Sequence, residues 1–489
     1  MDIGNIPCNT FAKPEAPPND NPNLNTIVPI PKEQIILPTT TKSFFNLFHT
    51  HYSCYLLRGT IIHEVKVMDK TTYNLYCEIL KSELKPAMGC TEPIAIALTA
   101  AKAKKYIDEE ITSVEVCASG NIIKNVKSVI VPHTNGLRGI PAAAAAGIVA
   151  GEAEAELEVL SSITDSQQKE IVSFLNRVPC SVTKSTSDYI LDIAVTLHSA
   201  NHTVYARTAQ YHTGLCLIQV DGKTIFEAPI AKTTSSIDHS ILSMEGIVEF
   251  ANTCNLEDVK EILDTQITYN MAISEEGITG KYGAAVGRTL LMAYGDSLHN
   301  RAKAYAAAGS DARMNGCELP VVINSGSGNQ GITTSVPVII YAKELGVSQE
   351  KLYRALLIAN LTSIHLKTGI GCLSAYCGAT SAGCGAGAGI MYLYGGGLNE
   401  ISHTVVNALA INSGVVCDGA KASCAAKIAS GVESGLLGMQ MYKHGKEFYR
   451  GDGIVGGGVE ATIKNVGHLA HDGMAETDKE IIKIMLEMK

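Results

Sequence analysis

Beyond residue 67 the apolar residues follow two periodicities in succession. "DKTTYNLYCEILKSELKPAMGC" (69–90) spaces them at helical intervals behind an Asp/Thr cap signal and predicts a helix. Residues 110–230 then carry strand signals. "ITSVEVCAS" and "SVIVP" are β-rich, and the run from "PCSVTKSTSDYILDIAVTLH" to "GKTIFEAPI" alternates apolar with polar residues, with turns expected at 200–201 and 221–222. Helical stretches are expected between these strands, over 141–160 and 165–176. From residue 236 the three-and-four spacing returns. "SILSMEGIVEFAN", "GAAVGRTLLMAYGDSLHNRAKAYAAAG", "SVPVIIYAKELG" and "QEKLYRALLIANLTSIHLK" each predict a helix. Glycine clusters at 325–331, 383–389, 395–397 and 453–458 interrupt this pattern. They mark places where backbone can approach a ligand or another helix closely.

The first 67 residues have a different texture. "KPEAPPNDNPNLNTIVPIPKEQIILPTTTK" is rich in Pro and Asn and predicts a disordered arm. The pattern as a whole predicts an α+β fold with four regions. Residues 1–67 form an extension, 68–109 a helical start, 110–230 a mixed α/β subdomain, and 231–489 a mainly helical domain.

Composition narrows the function classes. The net charge of −9 and the lack of a Lys/Arg run argue against nucleic acid as a partner. Residues 369 to 399 carry no charge, a length that would span a bilayer. That segment is mostly Gly, Ala, Ser and Cys, with little of the Leu, Ile, Val and Phe of a lipid-facing helix, so a tightly packed interior and no membrane are expected. The N-terminus lacks a basic segment followed by an apolar run, so the 14 cysteines are expected in a reducing, cytoplasmic setting. Clustered thiols in that setting point to metal or catalysis.

Three stretches carry candidate chemistry. "AYCGATSAGCGAGAG" (375–389) and "VVCDGAKASCAAK" (415–427) bring together Cys377, Cys384, Cys417 and Cys424, with Cys372 just upstream. On a continuous helix Cys417 and Cys424 would share a face but lie roughly 10 Å apart. That is too far for one zinc ion with sulfur ligands at about 2.3 Å, and less prohibitive for a multi-iron cluster if Gly419 bends the chain. Burial of free thiols against small residues is the competing reading. In "MGCTEPIAIAL" (88–98), Cys90 precedes a helix start. A thiol there is expected to have a lowered pKa and to be reactive, against the alternative of a cysteine wedged under a helix cap. "NSGSGNQG" (324–331) offers N–H and O–H donors able to cradle a carboxylate, or simply caps the next helix. Lys367, Lys421 and Lys427 flank these stretches, and each reads either as a carboxylate or cluster partner or as structural. His133 and His365 read as structural.

"GCTEP" (89–93), "SGSGNQG" (325–331), "KTGIGCLSAYCGA" (367–379) and "CDGAKASC" (417–424) together resemble the L-cysteine desulfidases and their uncharacterised bacterial relatives. That group is related to the alpha chain of the iron–sulfur L-serine dehydratases. The resemblance runs from about residue 68 to "DGIVGGGVEATIKNVGHLAHDGMAETDKEIIKIML". It implies that Cys377, Cys417 and Cys424 hold a 4Fe-4S cluster with one iron free of cysteine, making residues 231–489 the cluster-binding catalytic domain. It places Cys90 as the base on the substrate Cα or as a displaceable fourth ligand. It further implies that Ser325, Ser327, Asn329, Gln330 and Lys367 bind substrate, and that Cys372 and Cys384 are buried thiols. The implied activity is β-elimination from L-cysteine without pyridoxal phosphate, with L-serine dehydration or a non-enzymatic iron–sulfur sensor as alternatives. The implied partner is a small amino-acid substrate. The sequence sets no oligomeric state, and a homo-oligomer is compatible with it.

Overall fold

A computed structural model describes residues 68–230, 237–371 and 374–487, together with two short strands. These two, β1 (Leu56–Leu57) and β2 (Thr60–Ile61), pair antiparallel within a separate unit, Met1–Val65. The rest of the expected disordered arm lies outside the described residues, as does Cys372. Lys66–Lys489 forms the second unit, whose elements fall into two hydrophobic cores.

The chain enters this unit through α1 (Lys70–Glu83), capped by the Asp69 carboxylate on the Thr71 and Thr72 N–H groups. It continues through β3 (Pro86–Met88) into α2 (Thr91–Lys104). Helix α1 and Ala87 belong to the helical core, whereas α2 belongs to the core of the sheet. Cys90 stands where the chain passes from one core to the other.

The sheet uses β4 (Ser113–Ala118), β5 (Cys180–Lys184), β6 (Asp192–His198), β7 (Thr203–Ala209), β8 (Leu215–Val220) and β9 (Lys223–Glu227) in the order β5-β4-β6-β7-β8-β9. Only β4–β5 is parallel. The alternation read from sequence sets the register: Val116 pairs with Val195, and Val195 with Ala206, all fully buried. The expected turn at 221–222 is present, with both residues at positive φ, the geometry that matches the twist of a hairpin. Helices α3 (Gly120–Val126), α4 (Gly139–Ala150) and α5 (Asp165–Arg177) accompany the sheet. Helix α4 ends at Ala150, ten residues short of its expected end, and the acidic run beyond it turns into a short 3-10 segment, Glu156–Glu158.

The helical part comprises α6 (Met244–Thr253), α7 (Lys260–Thr279), α8 (Val286–Tyr294), α9 (Leu298–Met314), the strand β10 (Pro320–Val322), α10 (Gly328–Glu344), α11 (Gln349–Ile370), α12 (Gly378–Leu393), α13 (Leu398–Asn412), α14 (Cys424–Lys443), α15 (Val459–His468), a π-helical turn (Leu469–Gly473) and α16 (Ala475–Glu487). The long helix expected over 283–309 is two, broken at Gly295 with φ of +77°. β10 pairs antiparallel with β3, tying the entry to Cys90 to the glycine-rich loop that follows β10.

Helix α12 accounts for the uncharged stretch. A Cβ at Gly383 or Gly387 would lie 2.0 and 2.7 Å from the Gly431 and Gly435 carbonyl oxygens of α14. At Gly385 and Gly389 it would lie 2.4 and 2.8 Å from the Ala359 and Ala355 carbonyl oxygens of α11. Glycines four apart share a helix face, so one set seats α14 and the other seats α11. Among the described residues no helix is long and apolar enough to cross a membrane.

Candidate active site

Cys377 and Cys417 are brought side by side by main chain. Tyr376 and Val416 form an isolated antiparallel bridge; the Cys377 N–H donates to the Val415 carbonyl at 3.0 Å, and the Cys417 N–H to that of Ala375. Cys377 is the N-cap of α12 and Cys424 the first residue of α14. Two of the three thiols therefore sit at helix starts, where thiolate charge is favoured. The segment between Cys417 and Cys424 is not helical, contrary to the continuous helix considered from sequence. Gly419 takes φ of +96°, and a Cβ there would lie 2.2 Å from the Lys124 carbonyl of α3. That close approach needs glycine, and the bend returns Cys424 toward its partners.

The thiols also act on one another electrostatically. Burial first, and then Cys417 and Cys424, push the Cys377 thiol up to about 12, while Lys427 opposes the rise. Burial also raises Cys424, with Cys417 adding to it and Lys421 and Lys427 pulling down. Both lysines donate to Asp418, and Lys427 also reaches the Val416 carbonyl at 2.8 Å. Burial of Asp418 works against ionisation, but the two lysines outweigh it and hold its pKa near about 2.

Cys90 is the N-cap of α2 and only 3% exposed. It packs with Val129, Met314, Ala420 and Cys424. The lowered pKa expected from its position does not occur. Burial and the neighbouring Glu92 carboxylate raise the thiol well above its usual value, outweighing the helix start and the Arg313 charge. The thiol instead donates to Glu92 Oε2 at 3.4 Å. Glu92 is buried; its Oε1 accepts from Asn125 at 2.8 Å and its Oε2 from Thr91 at 3.2 Å.

The glycine-rich loop closes the site. Ser325 and Gly326 both take positive φ between Asn324 and Ser327, which exchange main-chain hydrogen bonds at 3.1 Å. Asn324 is fully buried and bonds to Asn360, which bonds in turn to Gln266, so the turn rests on a chain of buried amides. Thr91 Oγ1 donates to the Gly326 carbonyl at 3.3 Å, joining this loop to the Cys90 segment. Ser325 Oγ turns back on Asn324 Oδ1, and Ser327 is the N-cap of α10 without a side-chain cap. Asn329 Oδ1 accepts from Arg313 at 3.2 Å. Gln330 lies against Gly378, where a Cβ would be 2.5 Å from its Cδ, and its buried Oε1 has no partner. Gln330 thus links the loop to the residue after Cys377.

Lys367 is buried in the last turn of α11, four residues before Gly371 turns the chain toward Cys377. Cys384 is fully buried within α12, as expected. His365 pairs with Glu460 at 2.8 Å, a structural role. His133 pairs with Glu318 at 3.1 Å, but its buried Nε2 lacks a partner, so it is only half satisfied. Sequence reasoning passed over Arg313 and gave Glu92 no role. The signal for Arg313 was a lone Asp and Arg inside the small-residue run "AAAGSDARM".

Among the described residues no three His, Cys, Asp or Glu side chains converge on a single ion-sized point, so the set does not suit one zinc ion. Its chemistry does suit an iron–sulfur cluster. Main-chain bonds join Cys377 to Cys417, Cys424 follows the bend at Gly419, and two lysines stand beside these soft thiols to offset their charge when ionised.

Comparison with known proteins gives the chain's family. A family model described as serine dehydratase alpha chain matches residues 154–483. A UPF0597 protein of Desulfitobacterium hafniense is 55% identical over 419 residues, covering 85% of this chain and 97% of the relative. UPF0597 proteins of Lachnoclostridium phytofermentans and Finegoldia magna are 50% and 47% identical, each over at least 84% of this chain and 99% of the relative. The chain belongs to the serine dehydratase alpha-chain family, alongside these UPF0597 proteins.

Proposed function

We propose that this chain is a lyase that eliminates the β-substituent of a small L-amino acid without pyridoxal phosphate, with L-cysteine as its preferred substrate. Family membership supports the lyase class. What supports the reading above all is that Cys90 packs with Cys424 while main-chain bonds join Cys377 to Cys417, beside a donor-rich loop. Cys377, Cys417 and Cys424 would hold a 4Fe-4S cluster. When bound, it supplies a Lewis acid at the iron that lacks a cysteine.

The chain's own residues handle the proton. Cys90 loses its proton to Glu92 Oε2, its hydrogen-bond acceptor, and Arg313 stabilises the thiolate. Cys90 Sγ then takes the Cα proton. The electron pair of the broken C–H bond forms the Cα–Cβ double bond, and the Cβ–S bond breaks to release hydrosulfide. The product, 2-aminoacrylate, tautomerises to an imine and adds water, giving pyruvate and ammonia. Hydrosulfide leaves more readily than hydroxide, which favours cysteine over serine at a site with one neutral thiol and one carboxylate as proton carriers.

The test is product analysis of the reconstituted protein under anaerobic conditions. Sulfide and pyruvate in equal amounts from L-cysteine are expected. Pyruvate from L-serine alone would assign the chain to serine dehydration.

A further inference from the structure

Arg313 lies in the last turn of α9, 3% exposed. A buried guanidinium is costly unless its charge and donors are met. Among the described residues no carboxylate comes within ion-pairing distance of it. Its Nη1 donates to Asn329 at 3.2 Å, but its buried Nε has no acceptor.

The next residue, Met314, packs with Cys90 and Cys424, which sets this arginine beside the site. A Cβ at Gly328 would lie 2.3 Å from Nε and 2.7 Å from Cζ, so the guanidinium rests directly on the first residue of α10. Its charge reaches the Cys90 thiol. The neighbouring Gln330 has a second unpartnered buried atom, Oε1, beside Gly378. A cation bonded to Asn329 and an amide one residue further along α10 thus both keep unmet hydrogen-bonding capacity, next to the loop that Thr91 joins to Cys90. A guanidinium edge matches the two oxygens of a carboxylate.

We propose that Arg313 binds the α-carboxylate of the amino-acid substrate. The inference rests on the elimination reading and adds the group that makes the site select α-amino acids over simple amines. Pairing neutralises the carboxylate next to Cα, so the negative charge developing at Cα as Cys90 takes the proton is less opposed. Gly328 serves the same role by leaving room for the guanidinium.

The test is equilibrium binding to the full-length, cluster-loaded protein. The probes are 3-mercaptopropionate, which keeps the carboxylate, and cysteamine, which lacks it. Iron content and thermal midpoint are followed in parallel. Arg313→Met is expected to weaken 3-mercaptopropionate about 10- to 100-fold, the usual range for losing a charged hydrogen-bonded partner, with cysteamine unchanged. Arg313→Lys should fall between. Gly328→Ala, which crowds Nε but keeps the charge, should show the same selective loss. Unchanged 3-mercaptopropionate affinity in a folded, iron-loaded Arg313→Met protein would overturn the proposal. So would equal loss of both probes, failure of the wild type to bind 3-mercaptopropionate, or unfolding of both variants, which would make the arginine structural. A wild type that binds 3-mercaptopropionate through Arg313 but turns over neither cysteine nor serine would sink the elimination reading and leave the carboxylate site standing.

Discussion

The two sides of the site are built on opposite principles. On the side of Cys377, Cys417 and Cys424, the protein completes its own electrostatics. Main-chain bonds lock two cysteines together, Gly419 returns the third, and Lys421 and Lys427 are tied to Asp418. On the side of Cys90, the thiol and Glu92 satisfy each other with Asn125 and Thr91, but Arg313 Nε and Gln330 Oε1 are buried without partners. Under the proposed reading, the first side would hold a resident group and the second would be completed by a substrate carboxylate.

Substitutions should separate the sides. The largest effect is expected from Cys377→Ala, which removes a donor from the locked pair. Iron content and visible absorbance should collapse and turnover disappear. Gly419→Ala should come next. A side chain at φ of +96° costs about 1–2 kcal/mol before its clash with the Lys124 carbonyl, so cluster retention should fall sharply while the sheet remains folded by circular dichroism. Cys90→Ala should act on the other side only. Iron content should remain while kcat drops about 10²–10⁴-fold, the usual range for losing a general base. Loss of the cluster in that variant would move Cys90 to the ligand side.

A remote control should leave both sides intact. Glu433 on α14 pairs with His299 and Lys303 of α9. These partners, His299 foremost, hold its carboxyl at about 2 against partial burial. Its folded pKa lies below the unfolded value, so its contribution is present above about pH 4.5 and lost as pH falls through about 2. The pair is partly exposed, so Glu433→Gln should cost less than about 1 kcal/mol at pH 7. Urea unfolding should show that difference shrinking toward pH 2, with turnover unchanged at pH 7.

In the chain, small-residue surroundings drew attention to Cys377, Cys417 and Cys424, but their selection as a ligand set came from the family resemblance. Strands of the sheet were legible where Val114 and Val116 flank Glu115, and where Val204 and Ala206 alternate with Thr203, Tyr205 and Arg207. What escaped detection depends on tertiary context. Nothing local to "GCTEP" says that α2 leaves the helical core for the sheet, burying Cys90 beside Glu92 and reversing the pKa expected at a helix start. Arg313 belongs to no motif, and its placement depends on Gly328 and Asn329, which meet it only once α9 and α10 pack together. The break at Gly295 was hidden by helical periodicity on both sides of it.

The central claim is that one four-cysteine site carries out cluster-dependent elimination. The most direct measurement is sulfide and pyruvate release from L-cysteine by the full-length protein, reconstituted anaerobically to a series of iron contents, with Cys417→Ala beside it. The account predicts equal release of both products, rising in proportion to bound iron and absent in Cys417→Ala. Activity independent of iron, or a fully loaded cluster that yields neither product, would contradict it.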